Sequence, residues 1–361
     1  MGDSNNPAID LAAHTNTNNN LGHCLVTGAA GFVGSHLVKA LLLRGLKVRA
    51  LVRNTPLQLS HENLECFPGD IQNSEQMLRA CEGIDTVFHT AAMIATLGGS
   101  AVTQAYRDQA RAINVGGTSN IIAGCHAHGV RKLIHTSSVD TCFNSAEDLH
   151  MDEHTPYATY SICEYVPTKI EAEQSVLAAN GNQGLASCAL RPDGIWGAGG
   201  SLMLDILTEK LRAGMMVARI GGMGGLHDHV HVDNLVHAHL LAADALTPNS
   251  PPSGKAYFIT DGEPAHMFDF VRPFFEGMGY KIPKANIPAG PIMLIMECWQ
   301  WLHFKLGIPE PAFSPHELNK LTISTVAYSD AAKRDFGYEP VVAVAQGMED
   351  AVAYYLAQEQ H

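Results

Sequence analysis

Short apolar runs alternate with longer amphipathic ones through the first half of the chain. From Cys24, CLVTG reads as a buried strand, and FVGSHLVKALLLRG reads as a helix with Gly45 as its C-terminal cap. KVRALVR is strand again; LECFPGD follows, and a helix then leads to DTVFHTAA. A helical region over about residues 103 to 128 precedes KLIHTSS, and the helix after Tyr165 precedes ASCALRP. Strands that alternate with helices pair in parallel, because each crossover helix returns the chain to the same end of the sheet. The predicted fold is therefore α/β, a doubly wound parallel sheet layered by helices. No internal repeat is apparent.

After Pro192 the rhythm changes. The Gly-rich stretches GIWGAGG and ARIGGMGGLHD flank a helix, and a strand-like KAYFIT follows at 255 to 260. The remainder is mainly helical and punctuated by proline. The pattern predicts a tail over 1–20, a dinucleotide-binding core over 21–192 with return segments at about 228–260, and a smaller, mainly helical C-terminal lobe from 193–227 and 261–361.

Composition narrows the function classes. The 361 residues, 46% hydrophobic and 16% charged, suit a compact globular protein with a substantial core. A net charge of −13 without a Lys/Arg run argues against nucleic acid as a partner. The eight cysteines, at 24, 66, 81, 125, 142, 163, 188 and 298, include no Cys-x-x-Cys pair, and several lie in apolar surroundings. Reduced thiols in the cytoplasm are the reading that fits. The Asn/Thr-rich first twenty residues lack the basic and apolar regions of a signal peptide. No run of eighteen apolar residues is present to span a membrane.

Candidate chemistry begins with VTGAAGFVGSH. Gly28, Gly31 and Gly34 stand between the first strand and its helix, at the spacing Gly-x-x-Gly-x-x-Gly. Glycines there permit a tight turn, close approach of backbone to a pyrophosphate, and close helix–strand packing, while the helix N-terminus supplies N–H donors. An NAD site usually carries an acid at the end of the second strand for the ribose hydroxyls. Here that strand ends Ala50, Leu51, Val52, Arg53, Asn54. The acid is replaced by Arg53, which suits the 2′-phosphate of NADP and makes NADP the expected cofactor, with NAD as the alternative. Asp70, in FPGD after the third strand, is placed to reach the adenine end or serves as a turn residue.

The second candidate is PYATYSICEYVPTK, residues 156 to 169. Tyr165 and Lys169 are four apart and share a face on a helix. Ser138 ends the fifth strand, 27 residues earlier, at the sheet edge where ligands gather. The glycine turn, a strand-end serine and Tyr-x-x-x-Lys in this order resemble the extended short-chain dehydrogenase/reductases, which have a Rossmann core. HTAA (89 to 92), NVGGTSN (114 to 120) and RPDGIWG (191 to 197) match as well. DHVHVDNLVHAHLLAADAL (228 to 246) and AYFITDGEPAHMFDF (256 to 270) look most like the 3β-hydroxysteroid dehydrogenase branch, which includes sterol-4α-carboxylate 3-dehydrogenases and reductases of long-chain 3-oxoacids. The resemblance covers about residues 22 to 350.

It implies that Tyr165 is the general acid/base, that Lys169 holds the nicotinamide ribose and lowers the tyrosine pKa, and that Ser138 hydrogen-bonds the substrate oxygen. Asn114 matches the position of the family's motif asparagine. The resemblance further implies cofactor contacts from Ala30, Phe32, Val33, Ile71, Thr90, Ala91, Ala92 and Pro192, and a homodimer. Chemistry agrees with the tyrosine's role: hydride exchange with a carbinol needs a proton donor or acceptor at its oxygen, and a nearby ammonium stabilises a phenolate. Tyr157 and Tyr160 are then loop or packing residues. Two departures stand out. Pro167 removes one helical N–H, so the helix must start there or kink, and an inward-pointing Glu164 would raise the Tyr165 pKa.

His227, His229 and His231 alternate and would share one face of a strand, yet no further ligand is apparent, and no metal is expected. PIMLIMECWQWLHFKLGI, 291 to 308, reads as a buried helix of the small lobe, a lid bringing Ile292, Leu294, Ile295, Trp299, Leu302 and Phe304 to the cleft, or a peripheral membrane contact. The expected function is interconversion of a secondary alcohol and ketone on a bulky apolar, sterol-like substrate. Alternatives are reduction of a long-chain 3-oxoacid, epimerisation of a sugar nucleotide, and a catalytically silent NADP-binding regulator. The complete Ser138, Tyr165, Lys169 set argues against the last.

Overall fold

The structure, a computed structural model, describes residues 20–94, 104–143, 149–159, 165–309 and 315–358. Among them seven strands form one all-parallel sheet: β1 (Cys24–Thr27), β2 (Val48–Val52), β3 (Leu64–Pro68), β4 (Thr86–His89), β5 (Lys132–Thr136), β6 (Ala186–Pro192) and β7 (Ala256–Ile259). Their spatial order is β7-β6-β5-β4-β1-β2-β3. This is the doubly wound Rossmann order, in which the direction of winding reverses between β1 and β4 and opens a crevice at the strands' carboxyl ends. Burial follows position. Every residue of β1, β4, β5 and β6 is buried, as strands covered on both faces require, whereas β3 lies at an edge and is largely exposed.

Two helical layers cover the sheet. One face is packed by α1 (Phe32–Leu43) and α7 (Val232–Ala245), whose Leu37, Leu41, Leu235 and Leu240 meet Val26, Phe88, Ile134 and Leu190. The other face carries α2 (Ser74–Cys81), α4 (Thr118–His128) and α5 (Tyr165–Ala178), joined through Met77, Ile121 and Val176 to Leu25, Val87 and Leu133. α1 ends as the sequence predicts: Gly45 adopts φ +74° and its N–H returns to the Leu42 carbonyl at 2.8 Å.

The helical region expected near 103 to 128 is not uniform. Described from Gln104, it runs as α3 (Gln104–Ala110), a π-helical stretch Arg111–Gly117, and then α4. That wider turn contains Asn114.

Beyond the sheet lies a second apolar core. Trp196, Phe270, Phe274, Phe275, Met348 and Tyr355 pack together with α6 (Leu202–Arg212). Small sheets connect distant segments here, for Leu149–Met151 pairs with Thr325–Ala327, and Leu226–His227 pairs with both Thr325–Ala327 and Ala265–His266. Ala331, Ala332 and Phe336 return to the core under α1 and α7.

Candidate active site

The glycine turn sits where β1 meets α1. Gly28 has φ +68°, and a Cβ there would lie 2.9 Å from the Ala91 nitrogen. At Gly34, inside α1, a Cβ would come within 2.1 Å of the Gly28 carbonyl oxygen. Neither position accepts a side chain, so both glycines are dictated by the close packing of helix on turn. Gly31 caps α1 without a side-chain hydrogen bond, leaving the first N–H groups of the helix uncovered by their own cap. This donor set with its partial positive charge fits a dinucleotide pyrophosphate. The HTAA loop is tied to the turn: Thr90 Oγ1 donates to the Thr27 carbonyl at 2.7 Å, and the Ala91 N–H donates to Thr27 Oγ1 at 3.2 Å.

The structure gathers the other sequence-predicted positions along the same carboxyl edge. Ala30, Phe32 and Val33 are half-buried around the turn, Ala92 follows Ala91, and Ile71 is buried beyond β3. Pro192 is the last residue of β6. Arg53 and Asp70 follow β2 and β3 and face each other, with Arg53 Nη1 3.7 Å from Asp70 Oδ2. The arginine expected to await a phosphate thus has a carboxylate beside it.

At the centre of the edge stand Ser138, Tyr165 and Lys169. Ser138 lies two residues past the end of β5, its hydroxyl oxygen accepting the Asp140 N–H at 3.2 Å. Tyr165 and Lys169 are one turn apart on α5, and all three residues are buried. Pro167 lies within α5, which is helical from Tyr165, the first described residue of this segment. Tyr160 and Glu164 lie outside the described residues. The same Tyr-x-x-x-Lys spacing at Tyr280 and Lys284 falls in irregular chain and shares no helical face.

Lys169 Nζ donates to the Thr136 carbonyl at 2.6 Å and lies 3.4 Å from His135 Nε2. Burial drags its pKa down to about 8, against a partial opposing pull from Glu173. Asn114 braces α5 from the π turn: its Nδ2 donates to Thr168 Oγ1 at 3.0 Å and to the Met93 carbonyl at 3.1 Å, while its Oδ1 accepts the Met93 N–H.

Several participants escape sequence reasoning. Glu173, one turn beyond Lys169, forms a buried fork with Arg191 of β6, with Arg191 Nη2 to Glu173 Oε1 at 2.6 Å and Nε to Oε2 at 3.0 Å. Tyr157 donates to Glu173 at 2.7 Å beneath the Arg191 guanidinium, so it is packing for this pair. The available signals were the i, i+4, i+8 series Tyr165, Lys169, Glu173 and an arginine inside the apolar strand ASCALRP. Lys320, on the helix Pro315–Thr322, bridges to Asp140 beside Ser138 at 2.6 Å. Asp193, just past β6, is buried with Oδ2 unpartnered among the described residues, and burial raises its pKa to about 7.

The three alternating histidines do not lie on one strand. His227 ends Leu226–His227, His229 falls between strands, and His231 caps α7 by accepting the Asp233 N–H. Burial holds their pKa values near 4, 3 and 4, so all are neutral packing groups. Among the described residues no three His, Cys, Asp or Glu side chains are grouped to hold a metal ion.

The apolar segment after 290 forms the helix Ala289–Leu306, and the buried-helix expectation is corrected: Leu294 is 63% exposed, Trp301 59% and Leu306 70%. Composition made the segment look like core, but the helix packs mainly against Pro315–Thr322. Among the described residues no helix is long and apolar enough to cross a membrane.

A dinucleotide turn beside a buried Ser, Tyr and Lys defines a nicotinamide-dependent oxidoreductase acting on a hydroxyl group. The chain belongs to the 3-beta hydroxysteroid dehydrogenase/isomerase family, whose pattern matches residues 25–289. It is 40% identical over 335 residues to a 3-beta-hydroxysteroid dehydrogenase of Mycolicibacterium neoaurum, covering 93% of this chain and 92% of the relative. It is likewise 40% identical over 337 residues to a 3 beta-hydroxysteroid dehydrogenase/Delta 5-->4-isomerase of Mycobacterium tuberculosis, covering 93% and 91%. Among solved structures, that of gox2253 superposes with a TM-score of 0.73 at 26% identity, covering 94% of this chain and 99% of the other.

Proposed function

We propose that the protein interconverts a secondary alcohol and a ketone on a sterol-like molecule, with a 3β-hydroxysteroid as the reactant. The observation that carries this reading is the meeting of Ser138, Tyr165 and Lys169 at one sheet edge, with Lys169 Nζ fixed on the Thr136 carbonyl. Bound in the glycine turn, a nicotinamide cofactor supplies hydride transfer at the carbinol carbon. Tyr165 takes or gives the proton at the substrate oxygen, Ser138 orients that oxygen by a hydrogen bond, and Lys169 holds the ribose and keeps positive charge beside the phenol. Asn114 keeps α5 in place by way of Thr168.

The mycobacterial relatives' names support a steroid. So does the exposed apolar face of Ala289–Leu306, which the Lys320–Asp140 ion pair anchors to the Ser138 end of β5 through the neighbouring helix. Apolar walls with few polar anchors suit a flat hydrocarbon carrying one oxygen, and a long-chain 3-oxoacid is the runner-up on the same grounds. A sugar nucleotide needs anchors for its diphosphate, and this helix presents Leu294, Ile295, Trp299 and Trp301 instead. At the adenine end Arg53 favours a 2′-phosphate and Asp70 opposes it, so the site admits NAD as well as NADP.

The test is a panel of 3-hydroxysteroids, 3-oxoacyl compounds and UDP-sugars, each assayed with both cofactors on the wild type and on Tyr165→Phe. Turnover on 3β-hydroxysteroids is expected, with kcat reduced about 10²–10⁴-fold in the variant and cofactor affinity nearly unchanged. Activity confined to UDP-sugars sinks the substrate assignment. A Tyr165→Phe enzyme that keeps more than about a tenth of the rate sinks the acid/base one.

A further inference from the structure

Behind Lys169 lies a second buried base that the chemistry above leaves without a task. His135, the penultimate residue of β5, is almost wholly buried, and its Nε2 is 3.4 Å from Lys169 Nζ. Its Nδ1 has no hydrogen-bond partner among the described residues. A neutral imidazole carries one N–H and one lone pair, and which nitrogen bears the proton is set by its neighbours. A lysine ammonium offers only donors. Facing it, the ring must present the lone pair at Nε2 and carry its proton on the unpartnered Nδ1.

The surroundings leave few rivals for this contact. On its own helix Lys169 sees Tyr165 and Glu173, and the Glu173 carboxylate is committed to Arg191 of β6 and to Tyr157. On β4, His89 stacks against His135 with ring centroids 5.1 Å apart, but both its nitrogens are taken, by Thr27 at 2.8 Å and Thr118 at 2.9 Å. On α7, His239 is occupied by Thr136 Oγ1 and the Leu235 carbonyl. Burial, then Lys169, His89 and His239, keep His135 well below the usual histidine range against a weaker upward pull from the His89 backbone, so the ring is neutral.

We infer that His135 is a positioning residue, accepting at Nε2 a hydrogen bond from the Lys169 ammonium and so holding that charge toward Tyr165. The inference rests on the reading of Tyr165 and Lys169 as a working pair. With the Thr136 carbonyl, His135 gives the ammonium two acceptors from adjacent residues of one strand, which fixes both its place and its protonation. The sign follows. Removing the imidazole acceptor destabilises the ammonium, so the lysine loses its proton at lower pH and the phenolate loses its neighbouring charge with it.

The experiment uses the full chain loaded with its nicotinamide cofactor. In His135→Leu the alkaline limb of the kcat profile should move down by about one pH unit or more, the size expected for losing a hydrogen bond to a charged group. In His135→Gln, whose carbonyl oxygen can accept, the limb should return toward the wild-type position. Long-range 1H–15N spectra of histidine-labelled wild type should show His135 as the Nδ1–H tautomer at pH 6–7. An Nε2–H tautomer, or an unmoved limb in a folded leucine variant, overturns the inference. Should the leucine variant fail to fold, the wild-type tautomer decides alone. That spectrum needs no substrate, so a wrong reaction assignment appears separately, as wild type without turnover on any alcohol.

Discussion

The face of α5 that carries Tyr165 and the face of Ala289–Leu306 are built on opposite principles. Around α5 nearly every polar group is buried and spoken for: Lys169 by Thr136 and His135, Glu173 by Arg191 and Tyr157, Thr168 by Asn114. Ala289–Leu306 is apolar, turns Leu294, Ile295 and Trp301 to solvent, and is attached through a neighbouring helix and one half-exposed lysine. Polar side chains in a low-dielectric interior hold one another at fixed distances, because losing any partner strands a buried charge. An exposed apolar helix has no such constraint and can change its residues without disturbing the fold. Under the proposed function, this contrast would put reaction chemistry on the interlocked part of the molecule and substrate fit on the loosely packed part.

Breaking the rigid side should have the largest effect. Glu173→Ala leaves the Arg191 guanidinium buried without its carboxylate, a change that costs about 3–5 kcal/mol. Chemical denaturation should show that loss as a lowered midpoint, and a fall below about 1 kcal/mol would mean that water relieves the guanidinium. Replacing both partners, Glu173→Leu with Arg191→Met, should recover much of the stability while Tyr157 loses its acceptor.

The tolerant side makes a smaller and different prediction. Trp299→Glu or Leu302→Glu should leave the melting temperature and cofactor binding unchanged but raise KM for a steroid. Loss of about 60 Å² of apolar contact at about 25 cal/mol per Å² amounts to roughly tenfold. Unfolding of these variants would return the helix to the core. Unchanged kinetics with lost binding to phospholipid vesicles would make the face a membrane contact instead of a lid.

The smallest effect concerns the adenine end. Asp70→Asn removes the carboxylate opposite Arg53 and should shift the ratio of kcat/KM toward NADP by a few-fold, whereas Arg53→Ala should shift it toward NAD. Exposed charges this far apart are worth less than about 1 kcal/mol. No shift in either variant would mean that neither side chain reaches the 2′ position.

How much of this could be read from residues alone differs between the same two regions. The strand–helix alternation and the Gly28, Gly31, Gly34 turn were legible because each is local: periodicity marks the elements, and only glycine fits where a Cβ would strike the Gly28 carbonyl. Tyr165 and Lys169 were legible through spacing on one helix, although Tyr280 and Lys284 have that spacing without the helix. The partners that hold the site were not. Arg191 of β6 reaches Glu173 on the helix packed over it, Lys320 reaches Asp140 from 180 residues away, and His135 meets Lys169 only once β5 and α5 are packed. Composition misled at Ala289–Leu306, because apolar content does not tell whether a helix lies within the core or over it.

The seventh strand has a consequence for how the chain is made. β6 is complete at Pro192, but its outer neighbour, Ala256–Ile259, leaves the ribosome some sixty residues later. At about 5–20 residues per second that interval lasts roughly three to thirteen seconds. Throughout it the nascent sheet presents at its edge a strand that the finished fold buries completely, with one row of backbone donors and acceptors unpaired, the kind of edge that recruits other chains. That interval during synthesis, before the seventh strand emerges, is then the step at which a chaperone acting on the nascent chain would change the yield.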